Sequence, residues 1–235
     1  YNTTLAFVHL EENGERSFSF YRNNSADYQL TYEACQWQNI KCKHFYFGSV
    51  ALSKSPMKET VHTFLKKNKH SLDYVFFDPN YRPLLWQNSQ KALDEIKKVI
   101  DYVDVIKVSN EEALWLTGQE TYKEAITKLH KLGIKVIYLT LGDQGSLLSI
   151  EDKTVEIPPY KPHKVIDTTG AGDAFFGSVI GYLLSQKKSH DLREEDFIKA
   201  GNYGNVAGGL CVEGFGAVPS YPTKKEIESI INGMK

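Results

Sequence analysis

The chain has 235 residues and a mass of 26.7 kDa, enough for one substantial core with a small appendage. Its 28 basic and 29 acidic residues nearly cancel, which removes the electrostatic case for nucleic acid or an anionic membrane as partner, and no apolar run is long enough to span a bilayer. Three cysteines without Cys-x-x-Cys spacing and seven scattered histidines fit reduced thiols in a cytoplasmic protein and supply no zinc ligand set.

Residues 4–10 and 17–22 read as short β segments around the turn Glu11-Glu12-Asn13-Gly14-Glu15. Two strands make a poor sheet by themselves, so residues 1–30 are expected to form a partial β lid. The rest, residues 31–235, is expected to be an α/β core. In chain order it reads as a strand at 44–47, a helix at 56–68, a strand at 73–77, a helix at 87–101 and a strand at 103–108. A short helix at 110–116, a helix at 121–132 and a strand at 135–141 follow. Segments 146–150 and 154–157 then read as a hairpin through Glu151-Asp152-Lys153. Further helices are expected directly after a glycine motif at 170–173, near 197–211, and from Thr223. The basic clusters Lys66-Lys67-Asn68-Lys69 and Lys187-Lys188 read as solvated helix ends. Such alternation argues for a largely parallel sheet with helices on both faces. Ligands of these sheets sit at the carboxyl ends of strands, and every motif considered next follows a predicted strand.

The string Asp167-Thr168-Thr169-Gly170-Ala171-Gly172-Asp173-Ala174-Phe175 leads into an apolar run that ends at Leu184. Phe175, Val179 and Leu183 form one column at helical spacing, and Phe176, Ile180 and Leu184 form the next. A glycine turn opening a helix presents unpaired N–H groups at the positive end of the helix dipole, which is an anion site. Asp173, in the first turn, is placed to take a proton from a hydroxyl attacking a phosphoryl group. On the residues alone, a tight turn with an acidic first-turn residue explains the string equally well.

Four other stretches admit two readings each. Asp78-Pro79-Asn80-Tyr81-Arg82-Pro83-Leu84-Leu85-Trp86 is either a rigid ligand-facing loop or a plain turn with Trp86 as packing. In Lys107-Val108-Ser109-Asn110-Glu111-Glu112, Ser109 and Glu112 form a capping box at a helix start. Gly142 and Gly145 after Thr140 suit a hairpin. Asn205, followed by Val206-Ala207-Gly208-Gly209, suits close helix packing. In the lid, Phe18, Phe20 and Arg22, with Ala26-Asp27 beyond, fit ordinary half-buried strand positions.

Taken in order, these motifs resemble the PfkB (ribokinase-like) family of carbohydrate kinases, and residues 167–175 are similar to its fructokinase branch. The resemblance implies ATP-dependent phosphorylation of a sugar primary hydroxyl, with fructose converted to fructose 6-phosphate. Its alternatives are another acceptor (ribose or 2-keto-3-deoxygluconate) and a non-catalytic nucleotide-binding remnant. A nucleoside kinase is disfavoured by the Asp-Pro-Asn-x-Arg and Phe-x-Phe-x-Arg stretches. By resemblance Asp173 is the catalytic base, and the N–H groups of Gly170, Ala171, Gly172 and Asp173 form the anion hole. Thr140 and Gly142 line the nucleotide phosphates, and Asn205 lies by the adenine. Asn80 belongs to the phosphate and metal region, and Glu112 supports Mg²⁺ through water; Ser109 stands where the family usually has asparagine. Asp167, Thr169, Gly216 and Ser220 match a K⁺ site. Arg22, Phe20, Arg82 and Asp173 face the sugar, with Asp78 near the floor. ATP, Mg²⁺ and K⁺ are the implied cofactors, a sugar the partner, and a homodimer through the lid the implied assembly. The family's Gly-Gly-x-x-x-Asn sugar segment and the strands that carry it have no counterpart here. The sheet is therefore expected to lack N-terminal strands, and the chain, which begins at Tyr1 with no visible signal peptide, to be either a fragment of a longer kinase or an unusually truncated protein.

Overall fold

The computed structural model describes residues 1–10, 16–36, 41–151, 153–186 and 191–233. They fall into two compact units, Tyr1–Val103 and Asp104–Lys235. The division lies within the stretch expected as one core, and the lid shares its unit with the strands that follow it. The turn predicted at 11–15, the Lys187-Lys188 cluster and the hairpin residue Asp152 lie outside the described residues.

In the first unit, β1 (Leu5–Leu10) and β2 (Arg16–Tyr21) pair antiparallel, with Leu5 opposite Tyr21 and Ala6 opposite Phe20. Leu5, Phe7 and Tyr21 share one solvent-facing side, where the Phe7 and Tyr21 rings meet edge to face at 5.6 Å. Arg22 fixes this ribbon to the rest of the unit. Its Nε donates to Asp27 at 2.7 Å, its Nη1 donates to Ser53 Oγ at 2.6 Å, and its guanidinium lies 5.2 Å from the Tyr28 ring centre. β3 (His44–Gly48) and β4 (Tyr74–Asp78) are parallel and in register from His44 opposite Tyr74. The crossover helix α1 (Met57–Asn68) buries Thr60, Val61, Phe64 and Leu65, an i, i+4 stripe that follows from the sequence. Helix α2 (Ser89–Lys97) starts where Asn88 accepts the Lys91 N–H at 2.9 Å. It is shorter than the 87–101 expected, because a 3-10 turn at Ile100–Tyr102 takes over and buries Ile100.

In the second unit, β5 (Val105–Ser109) and β6 (Val136–Thr140) are parallel, while β7 (Ser146–Ile150) and β8 (Lys153–Ile157) add antiparallel. The fold is thus α/β with a mixed sheet, and its antiparallel part is the predicted hairpin. β5 and β6 are buried along nearly their whole length, as strands covered on both faces must be. Helix α3 (Asn110–Thr117) ends at Gly118 in the left-handed region, and α4 (Tyr122–Lys131) opens on the capping box Thr121–Glu124.

Helix α5 (Ala171–Leu184) buries Phe175, Val179 and Leu183, whereas the second predicted column stays buried only at Phe176. It packs on α6 (Glu194–Cys211), which begins three residues earlier than the sequence suggested because Asp196 caps the Arg193 N–H at 2.9 Å. The contact is close because α6 carries glycines there. A Cβ on Gly204 would lie 2.8 Å from the Phe175 ring, and one on Gly201 would overlap Ile157. Tyr138 ties β6 to the same helix through its hydroxyl, which donates to the Phe197 carbonyl at 2.8 Å; burial pushes this phenol well above its ordinary pKa. Helix α7 (Lys224–Gly233) closes the unit with Ile227 in the core. Among the described residues no helix is long and apolar enough to cross a membrane.

Candidate nucleotide and phosphoryl site

The mouth of α5 is made by Gly170, whose φ of 84° lies in the left-handed region. A Cβ there would also sit 2.7 Å from Ala217 Cβ and 3.0 Å from the Tyr221 ring, so conformation and space both require glycine. Its carbonyl accepts the Ala174 N–H at 2.8 Å and starts the helix. Of the predicted anion-hole amides, that of Ala171 turns to the Thr168 carbonyl at 3.3 Å. The N–H groups of Gly170 and Gly172 have no protein acceptor among the described residues. The Asp173 side chain is exposed, on the first turn beside them.

Behind this mouth Asp167 is buried, with 7% of its surface exposed. Its carboxylate accepts the Thr169 N–H at 2.7 Å and the Gly216 N–H at 3.0 Å. Thr169 and Gly216, two members of the predicted K⁺ set, therefore reach Asp167 through their backbone nitrogens, and a cation would be met by their oxygens. Ser220 uses its hydroxyl as a donor to the Phe215 carbonyl at 3.2 Å. The oxygen-rich, acidic character of the set still fits a hard monovalent ion. Cys211 Sγ lies 3.7 Å from the Thr169 carbonyl, and burial, reinforced by the charges of Asp167 and Asp173, pushes its thiol pKa up.

Beside the mouth opens a cleft of about 290 Å³, which Thr140, Gly142, Ala171, Gly172, Phe175 and Asn205 help to line. The sequence named all of these except Phe175 as site residues. One wall is the loop after β6, where Gly142 has φ 61° and Gly145 has φ 89°. A Cβ on Gly145 would overlap the Ile157 carbonyl and lie 2.8 Å from Pro159 N, so this loop is pressed against the exit of β8. Asn205 holds the same exit from the other side, donating Nδ2 to the carbonyls of Ile157 at 3.0 Å and Pro158 at 2.9 Å. Only its oxygen is left to meet a ligand.

At the end of β5 the capping box is fully made. Ser109 Oγ accepts the Glu112 N–H at 3.1 Å, and Glu112 Oε2 accepts the Ser109 N–H at 3.0 Å. Next to it, Asn110 Oδ1 is buried with no hydrogen-bond partner among the described residues. A carboxylate and an unsatisfied carbonyl oxygen at one helix start suit a hydrated Mg²⁺.

Lys107 escaped the sequence reading as a site residue. It lies on β5 opposite Tyr138 with only 6% of its surface exposed, and its Nζ is 3.1 Å from where a Cβ on Gly172 would be. The available signal was its place in Val105-Ile106-Lys107-Val108, a charge interrupting a buried apolar strand.

The remaining predicted residues belong to the first unit. Asn80 has φ 39°, an uncommon value for a non-glycine residue, and its N–H donates to Asp78 Oδ1 at 3.1 Å. Asp78 is fully buried at the end of β4. Arg82 is half-buried and donates weakly to the Tyr81 carbonyl at 3.4 Å. Phe20 is half-buried on β2. Arg22 is committed to Asp27 and Ser53, so within this unit it acts as a fastening for the lid.

A family model described as pfkB family carbohydrate kinase matches residues 1–224. Fructokinase-1 of Zea mays is 34% identical over 231 residues, which make up 97% of this chain and 71% of that protein. A double mutant of the Vibrio cholerae O395 fructokinase, solved with fructose, ADP and a potassium ion, superposes with a TM-score of 0.87 at 29% identity, covering 97% of this chain and 72% of that one. Aminoimidazole riboside kinase from Salmonella enterica, solved with aminoimidazole riboside and an ATP analogue, gives 0.80 at 26% identity, covering 92% of this chain and 71% of that one.

Proposed function

The chain belongs to the pfkB family of carbohydrate kinases, and from that membership we propose that it transfers the terminal phosphoryl group of ATP to the primary hydroxyl of fructose. The observation that carries this reading is the mouth of α5, where the amides of Gly170 and Gly172 lack a protein acceptor among the described residues, the exposed carboxylate of Asp173 stands on the same turn, and Ala171 and Gly172 line the neighbouring cleft. In the proposed reaction Asp173 accepts the hydroxyl proton as the sugar oxygen attacks the γ-phosphorus. The bond from phosphorus to the β–γ bridging oxygen breaks, and ADP leaves with that electron pair. The amides of Gly170 and Gly172 face the charge that develops on the phosphoryl oxygens, and the α5 dipole adds to them.

Thr140 and Gly142 serve the nucleotide phosphates and Asn205 the base side of the cleft. Glu112 and Asn80 serve the metal and phosphate region. Mg²⁺, when bound, supplies charge neutralisation at the phosphates. Asp167, with carbonyls of Thr169 and Gly216 and the Ser220 region, suits K⁺, in keeping with the ion held by the Vibrio cholerae protein. Phe20 and Arg82 are assigned to the sugar, and Arg22 to holding the lid that bears Phe20. The apolar side of the lid formed by Leu5, Phe7 and Tyr21 fits a second copy of the chain. Balanced charge and free cysteines support a cytoplasmic place of action.

A panel of acceptors tests this reading by ADP release. Fructose is expected to give the highest kcat/KM, ahead of ribose, 2-keto-3-deoxygluconate and aminoimidazole riboside. Preference for another acceptor would reassign the substrate. ATP binding with no acceptor-dependent ADP release would leave a nucleotide-binding remnant.

A further inference from the structure

We propose that Glu213 is a positioning residue for the nucleotide: it fixes the middle of the strap formed by residues 158–166 and so holds one wall of the cleft beside the α5 mouth in place. The inference rests on the nucleotide reading of that cleft given above and adds to it a residue outside the cleft lining.

Three observations converge on it. The strap runs from the exit of β8 to Asp167 without helix or strand, and its Pro159, Tyr160, Pro162 and Val165 line the cleft. Its two ends are tied down. Asn205 binds the Ile157 and Pro158 carbonyls at one end, and the Ile166 N–H donates to the Val212 carbonyl at 2.7 Å at the other. Between them the His163 N–H donates to Glu213 Oε1 at 2.7 Å. Glu213 stands in the turn directly after α6, so its carboxylate joins the middle of the strap to the helix that carries Asn205.

The same carboxylate reaches Tyr160. Burial, reinforced by the charge and the hydrogen bond of Glu213, pushes the phenol pKa up. The Tyr160 ring lies against α6 where glycine leaves room, since a Cβ on Gly209 would be 2.5 Å from Tyr160 Cδ1. Finally, a second cavity of about 240 Å³ opens behind the strap, and Pro159 and Tyr160 line it as well as the cleft. The strap is therefore a partition with open space on both sides. Such a segment keeps its place through its tethers more than through burial. Without the central tether, nucleotide binding has to order the wall itself, and that ordering is subtracted from affinity. The loss falls on ATP and ADP alike, because the wall faces the part that they share. Asp173 and the α5 amides are left as they were.

The test compares the wild-type chain with Glu213→Ala, which removes both contacts, and with Glu213→Gln, which keeps an oxygen to accept the His163 N–H. ATP and ADP affinities are measured by calorimetry, and kcat and both KM values by ADP release with the best acceptor of the panel. Glu213→Ala is expected to bind both nucleotides about 10-fold more weakly, with kcat and the acceptor KM within about twofold of wild type. Glu213→Gln should recover nucleotide affinity to within about threefold. A merely structural role would lower the unfolding temperature without splitting the two KM values. Unchanged nucleotide affinity in Glu213→Ala, an equal loss for nucleotide and acceptor, or no recovery in Glu213→Gln overturns the proposal. Hydrogen exchange of the wild-type chain covers the case in which Glu213→Ala does not fold. The His163 N–H should exchange at least about 10-fold more slowly than an exposed peptide amide, and more slowly still with ATP or ADP bound. Exchange at the exposed rate with nucleotide bound overturns the proposal. Acceptor turnover by the wild-type chain with unaltered nucleotide affinity in Glu213→Ala defeats only the role of Glu213. Glu213-dependent nucleotide affinity without any acceptor-dependent ADP release defeats only the phosphotransfer reading.

Discussion

Gly170 and Gly142 both have positive φ, 84° and 61°, yet they differ in surroundings. The Cβ direction of Gly170 is filled by Ala217 and Tyr221, while that of Gly142 has nothing within 4 Å. An alanine at Gly142 should therefore cost only the left-handed backbone penalty, about 1–2 kcal/mol. An alanine at Gly170 should cost that plus a steric overlap of about 1–3 kcal/mol. Urea unfolding of Gly142→Ala and Gly170→Ala checks the order, and equal losses would show that the space around Gly170 yields freely. The need for glycine was legible in the sequence at Gly170, as a turn opening an apolar helix, and at Gly142, as a turn between two strands. The partners of Arg22 were not. Asp27 is close by in sequence, but Ser53 lies 31 residues away and nothing in the lid motif announces it. Lys107 stayed hidden for a related reason. Its neighbours spell a capping box, and only the approach of α5 from another part of the chain reveals where its charge ends up.

Helices α5 and α6 show how element packing sets the site. Both carry glycines, but only those of α6 face the partner closely. At Gly204 a methyl group would press on Phe175 and Val179, whose side chains are almost wholly buried and have little room to give. At Gly181 on α5 there is nothing within 4 Å. Alanine favours a helix over glycine by about 0.8–1.0 kcal/mol, whereas overpacking costs about 1–3 kcal/mol. Gly181→Ala should accordingly stabilise the chain and Gly204→Ala destabilise it, as read by thermal unfolding. The same sign for both would mean that the interhelical contact is looser than described. Because Asn205 follows Gly204 and braces the exit of β8, separation of the helices should also loosen the cleft. Element order was readable from hydrophobic period throughout the chain, and the capping box Ser109–Glu112 marked the start of α3. Two ends were misjudged. Helix α6 begins on an Asp196 cap without a serine or threonine signal, and α2 gives way to a 3-10 turn that keeps Ile100 buried.

At the scale of the whole chain, the second unit, Asp104–Lys235, holds the glycine turn, the cleft and the braced carboxylate Asp167, and with them most of the residues proposed for phosphate chemistry; Asn80 lies in the first unit. The lid and the residues assigned to the sugar lie in Tyr1–Val103. Family membership accounts for both and carries the fold over nearly the full length. The central claim is that an alcohol is deprotonated by Asp173 while its phosphoryl partner rests on the α5 amides. Formation of fructose phosphate from ATP by the wild-type chain and by Asp173→Asn, followed by phosphorus NMR with ATP affinity measured in parallel, tests it most directly. Loss of the base is predicted to slow sugar phosphorylation by about 10²- to 10⁴-fold while ATP binds nearly as before; phosphorylation at the wild-type rate in Asp173→Asn would contradict it.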